Sequence, residues 1–432
     1  MTEKEKNEAA SPAKDKKQKR SKRPLWGVLA LCLIVLFTLF ILYMANVQIR
    51  REHYDNLFEQ DLLPVRLQGE TEILWGYLNT QGEIAVPATY EEAMPFSENG
   101  LAAVKRNGLW GFIDESGAEV IPCTFEDTRG FAEGRLAPVK QGGHWGYVNK
   151  KGELKIPCTF EDAKNFAGIG LAAVTIDGKQ GYINESGKTV IDPIFTVARE
   201  FDETNRAIVK AYGQWGLINK SGDFVINPQF DYLGDFSAIG LAKVQKNGLF
   251  GYINRDGEYV VPPTLYGASD FAPNGLAAVR AEQNGLWCYI NAEGKTVIQP
   301  AFDQAMPFSL SGLAAVAIAK PLPGSGYGFR WGYINEKGTL VIDMTFTYAS
   351  DFVSELAAVR DENGFHYINE KGEQVFAAPE NCTGAHAFCD DGYAVLVCFE
   401  GQVGYIEIID TTGKVIHSER IYASDFGNEI PD

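Results

Sequence analysis

Residues 101–131 read LAAVKRNGLWGFIDESGAEVIPCTFEDTRGF. Leu101-Ala-Ala-Val104 alternates around small residues, Asn107-Gly108 is a strong hairpin turn, and Trp110-Gly-Phe-Ile113 supplies the returning strand. Asp114-Glu-Ser-Gly117 then turns the chain again: an acid at the first position bonds the turn backbone, and glycine at the fourth takes positive φ at little cost. Glu119-Val-Ile-Pro122 is expected to be a third strand closed by its proline, and a connector follows that ends on Phe131. Alternation puts Trp110 and Phe112 on one face of their strand and Gly111 on the other, where the missing side chain is expected to let another sheet approach.

The same phrase is written ten times. Its first slot holds Trp75, Trp110, Trp145, Gln180, Trp215, Phe250, Trp287, Trp331, Phe365 and Val403, giving five intervals of 35 residues and then 37, 44, 34 and 38. A fixed period in this range marks a repeat architecture whose units bury their apolar faces only by stacking on neighbours. Each unit also carries a connector phenylalanine, from Phe96 and Phe131 to Phe388 and Phe426, placed to plug the space between adjacent sheets. The fold class expected is all-β: tandem three- to four-stranded meander repeats over residues 61–432 in a propeller-like ring or open spiral, with a β-hairpin solenoid as the alternative. Known propellers mostly close with ~4–8 blades, which leaves closure of ten open.

The N-terminal part is different. Residues 1–24 hold nine Lys/Arg against four acids and are expected to be a disordered basic cytoplasmic tail. Residues 25–47, LWGVLALCLIVLFTLFILYMANV, carry no charge over 23 positions, long enough as a transmembrane helix for a bilayer core of ~30 Å. Residues 48–60 form a juxtamembrane linker. Only Arg50 and Arg51 follow the span closely, so the positive-inside bias puts the tail in the cytoplasm and the repeats outside, a single-pass cell-membrane protein. Taking the tail's charges from the totals of 39 basic and 56 acidic residues leaves 30 and 52, a balance of −22, which disfavours nucleic acid as a partner.

Chemistry-bearing residues are scattered. Five histidines lie in unrelated repeat slots with no local metal-ligand pair, and the glycine clusters 168–170 and 324–328 open no helix, so neither a metal nor a nucleotide cofactor is expected. Cys123 and Cys158 share one repeat slot and are a poor disulfide pair, whereas Cys382, Cys389 and Cys398 are close enough in sequence for one bridge. Acidic pairs after the connector aromatic, Glu91-Glu92, Glu126-Asp127 and Glu161-Asp162, are expected to be solvated loop charge, with a calcium or catalytic carboxylate rim as the sharper reading. The 44-residue interval enlarges one hairpin between Ala315 and Trp331, and its Tyr327, Phe329 and Arg330 form the candidate ligand-contact loop.

Trp75-Gly-Tyr77, Trp145-Gly-Tyr147 and Trp331-Gly-Tyr333, each followed by Asn and a downstream glycine, resemble the WG-repeat family over about residues 62–426. Gln180, Phe250, Phe365 and Val403 depart from the Trp, and Cys288 and His366 from the Gly. The resemblance implies a repeat scaffold often found on surface or membrane proteins, with no catalytic residues to carry over. The function expected is therefore a membrane-anchored extracytoplasmic scaffold, non-catalytic, binding protein or cell-envelope glycan. The alternatives are an envelope glycan-acting enzyme and a sensor signalling through the basic tail.

Overall fold

The computed structural model describes residues 56–68, 73–132, 134–321, 326–401 and 403–421. The basic tail, the apolar span at 25–47 and Phe426 lie outside the described residues. Ten antiparallel sheets follow one another along the chain, the first of three strands and the other nine of four, and together they make a ten-bladed β-propeller. Every sheet is built from consecutive strands. In the second blade these are Glu92–Phe96, Leu101–Arg106, Leu109–Asp114 and Glu119–Phe125. The connector is thus itself a short strand that opens the next blade, which settles the strand count at four for every blade but the first.

Two expectations about the WG phrase need correcting. The fourth strand runs past Pro122 to Phe125, and opposite Gly111 it bulges: Trp110 pairs with Phe125 while Phe112 pairs with Ile121. A Cβ on Gly111 would stand 2.5 Å from the Ile121 carbonyl oxygen and 2.6 Å from the Cys123 nitrogen. The glycine therefore makes room for the neighbouring strand of its own blade, not for another sheet, and proline is tolerated where the bulge releases it from the ladder. In the ninth blade His366 takes the glycine's place, and there the third and fourth strands pair without the jump, His366 with Ala377 and Tyr367 with Phe376.

The turn chemistry is as expected. Asp114 Oδ1 accepts the amides of Ser116 and Ala118 and the Ser116 hydroxyl, and Gly117 sits at φ 80°. The Ser116 hydroxyl and these amides hold the Asp114 carboxyl below its usual range.

Blades are joined by a recurring clamp. Tyr147 is fully buried, packs at 4.8 Å and a tilt of 55° on the connector residue Phe166 of the following blade, and donates its hydroxyl to the Lys164 carbonyl at 2.7 Å. Tyr77, Tyr182, Tyr252, Tyr289, Tyr333 and Tyr367 pack likewise on Phe96, Phe201, Phe271, Phe308, Phe352 and Phe388, and donate to the carbonyls of Met94, Arg199, Ser269, Met306, Ser350 and His386. The phenylalanines are the inter-blade plugs that the repeat suggests, and burial of the tyrosines pushes their phenols far up.

The array closes on itself. Phe58, placed 38 residues before Phe96, acts as the connector aromatic of the first blade and packs at 4.4 Å on Tyr393 of the tenth. Asp391 Oδ2 accepts the backbone N–H groups of Leu57 and Phe58 at 2.6 and 2.7 Å, the Tyr393 hydroxyl donates to the Thr80 carbonyl, and Arg66 pairs with Glu419. Leu63, Val65, Leu78 and Ile408 complete an apolar seam. The open spiral and the solenoid are thereby excluded, and ten units are accommodated in one ring.

Candidate functional site

Strand direction alternates, so each blade presents two kinds of tip at opposite ends. One end carries the hairpins after the second strand, such as Asn107-Gly108. The other carries the turns between first and second strands and the Asp/Asn-x-x-Gly turns.

At the hairpin end the acidic connector residues have a structural task. Glu91 accepts the Gly108 amide, Glu126 those of Gly142 and Gly143, Glu161 that of Gly178, Asp231 that of Asn247 and Asp303 that of Ala319. Glu92 pairs with Lys105 at 2.6 Å and Asp162 with Arg129 at 2.7 Å. These carboxylates are exposed or half-exposed, as solvated loop charge should be, and they also cap hairpins and hold strands.

The eighth blade departs from the rest here. Its second and third strands, Leu313–Pro321 and Tyr327–Asn335, have nine residues each where most blades have six, and they stay paired out to Pro321 opposite Tyr327. Tyr327 is 77% exposed and Phe329 41%. Alternation puts Tyr327, Phe329 and Trp331 on one face of the ribbon and Arg330 on the other. The three candidate residues therefore do not converge: two aromatics form a strip, while the Arg330 guanidinium returns to the Phe329 carbonyl at 3.0 Å.

Two tryptophans of the row are closed to a ligand. Trp110 and Trp145 are each 6% exposed, and the Arg129 guanidinium lies 5.0 Å from the Trp145 ring centroid. These two indoles are inter-strand packing, with Arg129 covering the Trp145 face, whereas Trp75, Trp215, Trp287 and Trp331 are half-buried.

At the turn end two cavities open, and sequence reasoning missed both because their walls come from different repeats. The larger, about 510 Å³, spans the seventh to tenth blades. Its apolar side is formed by the plugs Phe308 and Phe352 with Val353 and Leu310, the last 84% exposed. Its polar side carries Asp351, Glu355, Glu370 and Asp390. Burial pushes the Asp351 carboxyl up, and its Oδ1 has no hydrogen-bond partner. The turn that supplies Ser354 and Glu355 holds both at positive φ, 51° and 65°, where the second blade uses Gly100. The smaller cavity, about 160 Å³ between the fifth and sixth blades, has its charges matched internally: Arg255 meets Asp202 at 2.9 Å and Arg199 meets Asp235 at 3.0 Å.

Cysteines divide as the spacing suggests. Cys382 and Cys398 are bonded across the first two strands of the tenth blade, with Cα atoms 3.9 Å apart, while Cys123 and Cys158 are free and burial pushes both thiols up. Among the described residues, the one group of three side chains close enough to hold a metal is Cys382, Cys398 and Glu407, and its two sulfurs are bonded to each other. No helix among the described residues is long and apolar enough to cross a membrane.

No curated protein sequence matches this chain. Among solved structures it is similar to a eukaryotic initiation factor, with 13% identity and TM-score 0.47 over 82% of this chain and 95% of that one. It is also similar to Kluyveromyces lactis Hsv2, with 11% identity and TM-score 0.31 over 55% and 89%, and to the tricorn protease, with 11% identity and TM-score 0.30 over 83% and 47%. The WG containing repeat model matches eight times, at residues 75–110, 110–144, 145–179, 181–214, 215–250, 250–287, 287–318 and 331–364, and the chain belongs to that family.

Proposed function

We propose that the protein is a membrane-anchored, extracytoplasmic binding scaffold that engages a protein or cell-envelope glycan without transforming it. The observation that carries this reading is the extended hairpin of the eighth blade, which holds Tyr327 and Phe329 out in solvent on strands longer than those of most blades. Aromatic side chains on a rigid two-stranded ribbon bury area on binding at little cost in conformational entropy. The anchor rests on the uncharged span at 25–47 and the orientation on the basic residues before it. The Cys382–Cys398 bridge fits an oxidising compartment.

The test replaces residues 320–329 by an Asn-Gly turn in the full-length chain. Capture of purified peptidoglycan and of solubilised envelope proteins is then compared with the unmodified chain, alongside the melting temperature. Lost capture at unchanged melting temperature supports the hairpin as the contact; unchanged capture eliminates it. Product release from the glycan that depends on any one carboxylate would replace the scaffold reading by the enzyme. Protease added outside intact cells should remove the repeats and spare the tail, and protection of the repeats would reverse the orientation.

A further inference from the structure

We propose that the larger cavity at the turn end is a second binding site, which takes a lysine or arginine side chain presented by a partner protein. The site is at the opposite end of the ring from the Tyr327–Phe329 strip and stands whether or not that strip binds anything. Its two sides match the two parts of such a side chain. Val353 and the exposed Leu310, over the buried plugs Phe308 and Phe352, offer an apolar wall to the methylene stem, as amphipathic cations prefer. Asp351, Glu355, Glu370 and Asp390 offer carboxylates to its head, and no lysine, arginine or histidine is among the lining residues.

The contrast with the smaller cavity is what makes this a site rather than an acidic surface. There Arg199 pairs with Asp235 and Arg255 with Asp202 in the same wall, and Arg206 lines it too. In the larger cavity that cation is missing from the protein's own complement, and Asp351 keeps a buried carboxylate oxygen without a hydrogen-bond partner. An unmet acceptor beside an apolar wall is costly unless something supplies the donor. A volume of about 510 Å³ is within the range of ligand sites and exceeds what one side chain fills, leaving room for flanking residues of the partner segment. The turn itself is specialised, since Ser354 and Glu355 occupy left-handed backbone without glycine and the Ser354 hydroxyl ties it to the Cys389 carbonyl of the tenth blade.

The experiment uses the full-length chain and fluorescein-labelled Gly-Leu-Lys-Leu-Gly, with Gly-Leu-norleucine-Leu-Gly as the probe that keeps the stem and loses the charge. Fluorescence anisotropy should show saturable binding of the lysine peptide that weakens with salt, and the norleucine peptide should bind about tenfold more weakly, the worth of one charge-assisted contact. Combining Glu355→Gln, Glu370→Gln and Asp390→Asn should raise Kd for the lysine peptide about tenfold or more at unchanged melting temperature. Should the triple variant fold poorly, Asp390→Asn alone, at an exposed position, must still weaken binding. Equal binding of both peptides, retention of affinity in these variants, or no saturable binding at all would overturn the proposal.

Discussion

The Trp-Gly pair has two unlike jobs on adjacent residues. Trp145 is buried between strands with Arg129 over its face, and its loss leaves a cavity that the flanking strands cannot collapse into; Trp145→Ala should lower unfolding free energy by roughly 3–5 kcal/mol in chemical denaturation. A loss below about 1 kcal/mol would mean that the indole is not part of the core. Gly146 acts by what it lacks. A Cβ there would meet the Ile156 carbonyl oxygen at 2.5 Å and the Cys158 nitrogen at 2.7 Å, both backbone atoms that no rotamer change can move. Gly146→Ala should therefore cost about 1–3 kcal/mol, although the seventh blade keeps the same jump with Cys288 in this slot. His366→Gly is the converse case: the ninth blade has no bulge opposite this position, so glycine should give no gain in melting temperature.

Blades are the elements of this molecule, and their contacts are local in sequence. Tyr147→Phe keeps the ring against Phe166 and removes only the hydroxyl that meets the Lys164 carbonyl, so it should cost about 1 kcal/mol. Tyr147→Ala should cost roughly 3–5 kcal/mol, because the aromatic pair is lost as well. If the two substitutions cost the same, the hydroxyl carries the clamp and the stacking does not. The acidic caps work at the same scale: Glu126 holds two successive glycine amides of one hairpin, a task that a glutamine could fill only in part.

Closure of the ring depends on residues far apart in sequence. Asp391→Ala strands the Leu57 and Phe58 amides and should lower stability by about 1–3 kcal/mol, with faster proteolysis near the seam than elsewhere. Burial pushes the Asp391 carboxyl above its ordinary value of 3.8, although these two amides pull it down. An acid whose folded pKa is raised binds more protons folded than unfolded, so its contribution is full below the unfolded value and falls as pH rises through the folded one. The stability difference between the native chain and Asp391→Asn should thus shift against the native chain on going from about pH 4 to neutrality, as measured by paired melting curves. A constant difference across that range would show that the carboxyl is not desolvated.

How much was legible in the sequence follows from where the deciding contacts lie. The three strands from Leu101 to Pro122, the Asp114-type turns and the connector plugs were readable from one 35-residue unit, whereas the connector's own pairing as a strand of the next blade was not. The bulge opposite Gly111 was not, since alternation along a strand does not reveal how many residues its neighbour uses to pass it. Nor were the hairpin caps, because Glu91 and Gly108 lie 17 positions apart and the acidic pair has the composition of a solvated loop. Candidate residues Tyr327, Phe329 and Arg330 could be picked from the insert, but only the paired ribbon put the arginine on the opposite face from the two aromatics. Closure and the acidic cavity belong wholly to the tertiary structure: the first joins Phe58 to Tyr393, and the second collects side chains from four blades. A repeat determines the step from one blade to the next, and the number of such steps that returns the chain to its start is decided by the accumulated rotation of the packed blades, which no single unit encodes.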